Sequence, residues 1–157
     1  MIKINLICTG KLKEKFWEQA CAEYIKRIGG YAELKLTELP EINPSSGVDS
    51  VAALKKEAAA VEKVIPKGAK TIVLTPEGKQ YTSEEFASLI DRLASGGDSR
   101  LCFIVGSSNG ISPEMKASAD MQISFSKMTF PHHLFRAMLL EQIYRAFMIL
   151  GGRTYNK

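Results

Sequence analysis

The chain has 157 residues, 45% of them hydrophobic and 24% charged, a globular balance that excludes disordered and fibrous classes. That length is one domain's worth and lets a fold bury about two thirds of its unfolded surface without help from a disulfide or a metal. The net charge of +4 lies wholly in residues 121–157, where five basic residues meet one acid; the first 120 residues hold 16 charges of each sign.

In chain order, residues 2–9 alternate Ile2, Ile4, Leu6 and Cys8 with polar residues and predict a strand. Trp17, Ala20, Cys21, Tyr24 and Ile28 then fall at helical spacing over 11–28, with Gly29-Gly30 as the stop. A second strand is expected at 34–39, ended by Pro40, and the stretch 40–49 is the single linker-like segment, too short to separate a pair of domains. A helix over about 50–65 carries Val51, Leu54, Ala58, Val61 and Ile65 on one face. Residues 71–75 predict a short strand and Pro76-Glu77-Gly78 a turn. Thr82-Ser83-Glu84-Glu85 is a capping box opening a helix that ends at Gly96-Gly97. The unbroken apolar run 101–105 suits a central parallel strand, and Ser112-Pro113 starts a short helix. A last strand at 121–125 and a last helix at 131–150 complete the pattern. Strand and helix alternate five times, which predicts one α/β domain spanning 1–157, with a mainly parallel sheet and helices on both faces.

The last helix is apolar nearly all round. Glu141, Gln142 and Arg145 share about 100° of arc, with Arg136 and His132 on the opposite side. Such a helix must be covered on more than one side, either within one chain or by the same helix of a second copy, and a homodimer is expected. No run approaches the ~18 apolar residues of a membrane span. The N-terminus lacks a signal-peptide core, and Cys8, Cys21 and Cys102 form an odd set without CxxC spacing, read as buried thiols of a cytoplasmic protein. The basic C-terminal quarter attracts polyanions such as nucleic acid, although a solvated basic face has the same composition.

Ligand sites in open parallel sheets lie beyond the carboxyl ends of the strands, here the loops after Thr75, Val105 and Phe125. No GxGxxG follows a strand and no GxxxxGK[ST] occurs. No metal is expected, since His132 and His133 are adjacent and no HExxH or cysteine pair accompanies them. Gly106-Ser107-Ser108-Asn109-Gly110 fits the GxSxG elbow, with Asp120 and His132 in hydrolase order. An elbow serine leads directly into a helix, however, and here the helix start comes later, at Ser112-Pro113. Phe125, Met128 and Phe130 interleave apolar side chains with backbone donors, as core packing or a flat uncharged ring such as adenine would require.

The run Phe125-Ser126-Lys127-Met128-Thr129-Phe130-Pro131-His132 resembles the cofactor loop of the RlmH family of SPOUT methyltransferases. So does Glu141-Gln142-Ile143-Tyr144-Arg145-Ala146, and so does Ile7-Cys8-Thr9-Gly10-Lys11-Leu12-Lys13 with Tyr24 and Arg27. The resemblance covers essentially the whole chain. It implies an α/β fold with a C-terminal trefoil knot, an exception to the unknotted rule, in a cytoplasmic homodimer that binds S-adenosylmethionine (SAM). The implied activity is methylation of N3 of a pseudouridine in large-subunit (23S) ribosomal RNA, within the assembled ribosome. Carried over by position, the cofactor contacts are Leu74, Gly106, Phe125, Ser126, Lys127, Met128, Thr129 and Phe130. The methyl-acceptor side falls to His132, Arg136, Glu141, Tyr155 and Lys157. His132 is the natural base by pKa, with Glu141 as the alternative unless Arg145 pairs with it; His132 is equally suited to capping the last helix. The alternative function is a non-catalytic basic RNA-binding module. Two positions depart from the family pattern. Ser107 stands where a second glycine is usual, and either narrows the cofactor pocket or adds a hydroxyl contact. Asn156 stands where histidine is usual.

Overall fold

The computed structural model describes residues 1–43, 49–96 and 100–152. Ten elements alternate: β1 (Ile2–Thr9), α1 (Lys15–Ile28), β2 (Ala32–Leu39), α2 (Ser50–Val64), β3 (Lys70–Gln80), α3 (Ser83–Ala94), β4 (Arg100–Val105), α4 (Pro113–Ser118), β5 (Met121–Ser124) and α5 (His132–Leu150). All neighbours in the five-stranded sheet pair in parallel, in the order β2-β1-β4-β3-β5. The direction of travel across the sheet reverses at every step. Because parallel crossovers keep one hand, successive helices must alternate faces. They do. The helices α1, α3 and α5 cover one face, packing on Ile4, Leu6, Ile72, Leu101, Phe103 and Ile123. The other face carries α2 and α4, whose Val61 and Met115 meet Ile7, Val73, Cys102 and Ile104.

Local signals account for the ends of several helices. The Thr82 hydroxyl accepts from Glu85 N while the Glu85 carboxylate accepts from Thr82 N, completing the capping box. Asp49 caps α2 through Ala52 N, and Ser112 caps α4 through Met115 N with Pro113 in the first turn. The first helix starts at Lys15 rather than Lys11, so residues 11–14 form a loop beyond β1. The apolar stripe expected on α2 is rotated: Val51 is 62% exposed, and the buried residues are Ala53, Glu57 and Val61.

One expectation is revised. Residues 76–78 interrupt β3 without ending it. Both Leu74 and Lys79 register with Ile123 of β5, so residues 75–78 loop out as an excursion and the strand then resumes to Gln80. Pro76 has no N–H to give the ladder, and Gly78 passes so close to β5 that a Cβ there would stand 2.6 Å from the Ile123 backbone. Much of the apolar surface of α5 is covered within one chain. The helix lies between α1 and α3 against the sheet and buries Ala137, Leu139, Leu140, Ile143, Ala146, Phe147 and Met148. Tyr31 stacks on Phe147 with ring centroids 5.8 Å apart. Leu134, Phe135, Met138, Tyr144 and Ile149 stay half-buried and Leu150 is 41% exposed, so part of the helix's apolar surface is left uncovered by the chain itself.

Candidate active site

Beyond the carboxyl ends of β4 and β5 and beside the excursion in β3 lies a cavity of about 700 Å³, walled by the three segments that sequence pointed to. The excursion gives Leu74, Thr75, Pro76 and Glu77; the loop after β4 gives residues 106–111; the loop after β5 gives Phe125, Ser126 and residues 128–131. Leu74, Val105, Ile111, Phe125, Phe130 and Phe135 supply an apolar lining, and hydroxyls, backbone groups and one amide supply directional contacts. That mixture and volume fit a drug-sized ligand carrying an aromatic ring and polar ends.

Seven of the eight expected cofactor residues line this cavity: Leu74, Gly106, Phe125, Ser126, Met128, Thr129 and Phe130. Lys127 does not. Gly106 is required by the loop itself. A Cβ there would stand 2.6 Å from the Gly110 carbonyl oxygen and 2.7 Å from Ile111 Cγ1, so only glycine lets the loop fold back on the strand end. The Ser126 hydroxyl accepts from Met128 N at 3.0 Å, shaping the turn that leaves Met128 74% exposed at the mouth. The Thr75 hydroxyl donates to the Glu77 carboxylate and, with Lys116 3.5 Å away, holds that carboxyl below the usual range.

The expected acceptor-side residues separate. His132 lines the cavity at the start of α5, beside Gly10 of the loop after β1. Burial pushes its imidazole below the ordinary value of 6.5; Glu41 opposes this, while His133 and Arg136 reinforce it. The ring is therefore neutral at pH 7 and able to accept a proton. Arg136, one turn on, is 1% exposed and does not line the cavity. Its Nη1 lies 2.5 Å from Glu38 Oε2 and its Nη2 donates to the Gly10 carbonyl at 3.0 Å, which ties α5 to the ends of β1 and β2. Glu141 faces a second, smaller cavity of about 290 Å³ between α3, β5 and α5, which meets the first at Phe125. Its carboxylate accepts from Arg145 at 2.6 and 3.0 Å and from Gln142 at 3.0 Å. Tyr155 and Lys157 lie outside the described residues, as does Asn156.

The serine-elbow alternative fails on geometry. The Ser108 hydroxyl is bonded to Glu41, and Asp120 accepts from Thr71 N and Oγ1 at the opposite end of the sheet, far from His132. What sequence reasoning missed is the outer support of the loop after β4. Glu57, 5% exposed on α2, accepts from Ser107 Oγ at 2.7 Å and Ile42 N at 2.9 Å, and Glu41 accepts from Ser108 N at 3.0 Å. A charged residue at position 57, flanked by Leu54, Ala58 and Val61 on the apolar stripe, was the available signal.

An open parallel sheet with a ligand-sized cavity at the carboxyl side of its strands is the architecture of an α/β ligand-binding protein. The chain belongs to the SPOUT methyltransferase family: the model described as "Predicted SPOUT methyltransferase" matches residues 2–156. Ribosomal RNA large subunit methyltransferase H of Bacillus thuringiensis (strain Al Hakam) is 43% identical over 159 residues, which cover 99% of this chain and 100% of that protein. The enzyme of that name from Bacillus anthracis matches to the same extent. Among solved structures, a probable methyltransferase from Bordetella pertussis Tohama I shares the fold with a TM-score of 0.57 at 15% identity, over 91% of this chain and 93% of that one. A probable methylase family protein from Haemophilus influenzae Rd KW20 gives 0.55 at 11% identity, over 95% of this chain and 66% of that one. Among the described residues no helix is long and apolar enough to cross a membrane, and no group of three or more His, Cys, Asp or Glu is placed to hold a metal.

Proposed function

We propose that this methyltransferase uses SAM to methylate large-subunit ribosomal RNA, at N3 of a pseudouridine in the assembled ribosome, and so works in the cytoplasm. The observation that carries the reading is the cavity of about 700 Å³ at the β3 excursion and beyond β4 and β5, lined by seven of the eight residues the family resemblance assigns to SAM. Its apolar walls suit an adenine ring, and backbone groups of the loops after β4 and β5 suit the ring edge. When bound, SAM supplies an electrophilic methyl group.

An imide N3 is weakly acidic and must lose its proton to become a nucleophile, so the site needs a base. His132 is our choice: it lines the cavity, and burial keeps its ring neutral. Glu141 is the poorer candidate, since Arg145 and Gln142 already occupy its carboxylate. Arg136 acts as a brace, holding the start of α5 against Gly10 and Glu38. The family also implies a knotted path for the chain after β4, and we take that path as part of the proposal. We further assign Tyr155 and Lys157 to the acceptor side of a partner subunit in a homodimer, on the strength of the resemblance. Two cations and an aromatic ring in residues 153–157 suit phosphate contact and base stacking.

The test is transfer of a labelled methyl group from SAM to ribosomes from cells lacking the enzyme, followed by mapping of the modified nucleotide. Label at a single large-subunit pseudouridine is expected. Absence of SAM binding in calorimetry, with RNA binding retained, would instead support the non-catalytic RNA-binding module.

A further inference from the structure

The loop that closes the cavity after β4 is held from outside by two carboxylates, and neither belongs to the cavity lining. The hydroxyl of Ser107, the residue that replaces the usual glycine, turns away from the ligand space. It donates to Glu57 Oε1 at 2.7 Å and accepts from Asn109 N at 3.1 Å. Asn109 Nδ2 donates to the Ile42 carbonyl at 2.9 Å and reaches Glu57 Oε2 at 3.3 Å, while Ile42 N donates to the same Oε2 at 2.9 Å. Beside them, Ser108 N donates to Glu41 Oε1 at 3.0 Å. A carboxylate on a helix facing the sheet is costly to bury unless each oxygen is satisfied, and here both oxygens of Glu57 accept from groups of the loop or of the segment after β2.

We propose that Glu57, acting through Ser107, is a positioning residue for cofactor binding: it fixes the 106–110 loop in the shape that receives SAM. The inference rests on the assignment of SAM to this cavity. Gly106 and Gly110 carry no side chain to hold the loop, Gly110 has φ of +87°, and within the loop the Ser107–Gly110 bridge and the Asn109 N–H bond to Ser107 Oγ link its residues. The loop's shape therefore depends on what grips it from α2. Glutamine at 57 loses the charge and forces a rearrangement: with its oxygen on Ile42 N, its N–H₂ faces the Ser107 hydroxyl, which must turn from donating to accepting. The departure at position 107 thus adds a hydroxyl contact, directed to the protein rather than to the cofactor.

The experiment measures SAM affinity by calorimetry, and methyl transfer at saturating SAM, for Ser107→Ala, Glu57→Gln and the double variant. Ser107→Ala removes one hydroxyl from the loop and keeps the backbone. Each single change is expected to weaken SAM binding about tenfold, as loss of a hydrogen bond to a charged group would. The rate at saturating SAM should stay within about twofold of wild type, since no reacting group is touched. The double variant should bind little worse than Glu57→Gln alone, because both changes break one network. Thermal unfolding separates this from a merely structural role, which would lower the melting temperature and leave SAM affinity of the folded protein unchanged. Unchanged affinity in folded Ser107→Ala and Glu57→Gln, or fully additive losses, would overturn the proposal. Failure of the wild-type protein to bind SAM would instead overturn the cavity assignment.

Discussion

His132 Nε2 lies 3.1 Å from the point where a Cβ on Gly10 would stand, so the imidazole rests against bare backbone at the end of β1. Gly10 has φ of +118°, donates to the Leu39 carbonyl at 2.7 Å and offers its own carbonyl to Arg136. One glycine thus fixes both the ring assigned as base and the cation one turn behind it. Gly10→Ala strains the backbone and displaces the ring. A fall in kcat of at least tenfold is expected, with a smaller loss of SAM affinity, because Gly10 itself does not line the cavity and acts on it through His132. Calorimetry beside single-turnover methyl transfer checks both halves.

Burial lowers the His132 pKa from its ordinary 6.5, so the neutral base persists to a lower pH than a free histidine would allow. The acid limb of the methyl-transfer rate should therefore fall below pH 6.5 and vanish in His132→Gln. The stability linkage has a definite sign. The unfolded state binds the proton more readily, so this contribution is whole above pH 6.5 and is lost as pH falls through the folded value. Urea midpoints between pH 7.5 and 5.5 should decline less in His132→Gln than in wild type.

The Arg136–Glu38 pair joins a cation 1% exposed to a carboxylate 34% exposed, and the asymmetry predicts unequal losses. Arg136→Met leaves Glu38 with water to turn to and should cost about 2 kcal/mol, below the ~3–5 kcal/mol of a fully buried broken pair. Glu38→Gln leaves the buried guanidinium only neutral acceptors, the amide oxygen and Gly10 O, and no countercharge, and should cost more than Arg136→Met. Urea unfolding of both variants gives the comparison, and equal losses would contradict this account.

The strand and helix pattern was legible because each element carries the period its environment demands. Residues 2–9 and the apolar run at 101–105 are examples, and the Thr82 capping box is as sequence predicts. The β3 excursion was not legible. Pro76-Glu77-Gly78 signals a turn by local chemistry, and only the register with Ile123 shows that the strand resumes. How much of α5 one chain covers was not legible for a related reason, because a sequence cannot show that α1 and α3 flank one helix. At the site, the cavity loops could be placed from strand ends alone, whereas Arg136 needed the structure. Its arc position opposite Glu141 fits a buried brace as well as an acceptor-side group. Glu57 and Glu41 act across 50 and 67 residues, beyond the reach of any local pattern.

The three thiols are buried, and burial pushes Cys8 and Cys102 up to about 12 and Cys21 above its ordinary value; Arg136 partly opposes this at Cys8 and Cys21. Thiolate is the reactive form, so these cysteines are inert at neutral pH. A chromogenic disulfide reagent at pH 8 should find almost no thiol in the native protein and three after denaturation. Rapid native labelling of one thiol would show a local opening of the sheet or of α1.

The last prediction concerns Gly106, where the obstacle to a side chain is the loop's own backbone. An alanine Cβ would meet the Gly110 carbonyl oxygen at 2.6 Å and its carbon at 2.9 Å, as well as Ile111 Cγ1 at 2.7 Å. Ile111 is a flexible side chain and can move; the Gly110 backbone moves only if the loop opens. Gly106→Ala should therefore weaken SAM binding by more than tenfold, and Gly106→Val should abolish it. The melting temperature should shift only a few degrees, because the loop lies beyond the sheet rather than in the core. Trimming the movable neighbour separates the two sources of crowding. If the backbone is what blocks, Gly106→Ala with Ile111→Ala binds SAM no better than Gly106→Ala alone. Recovery of affinity in that double variant would place the obstruction at Ile111 and leave the loop free to accept a side chain at position 106.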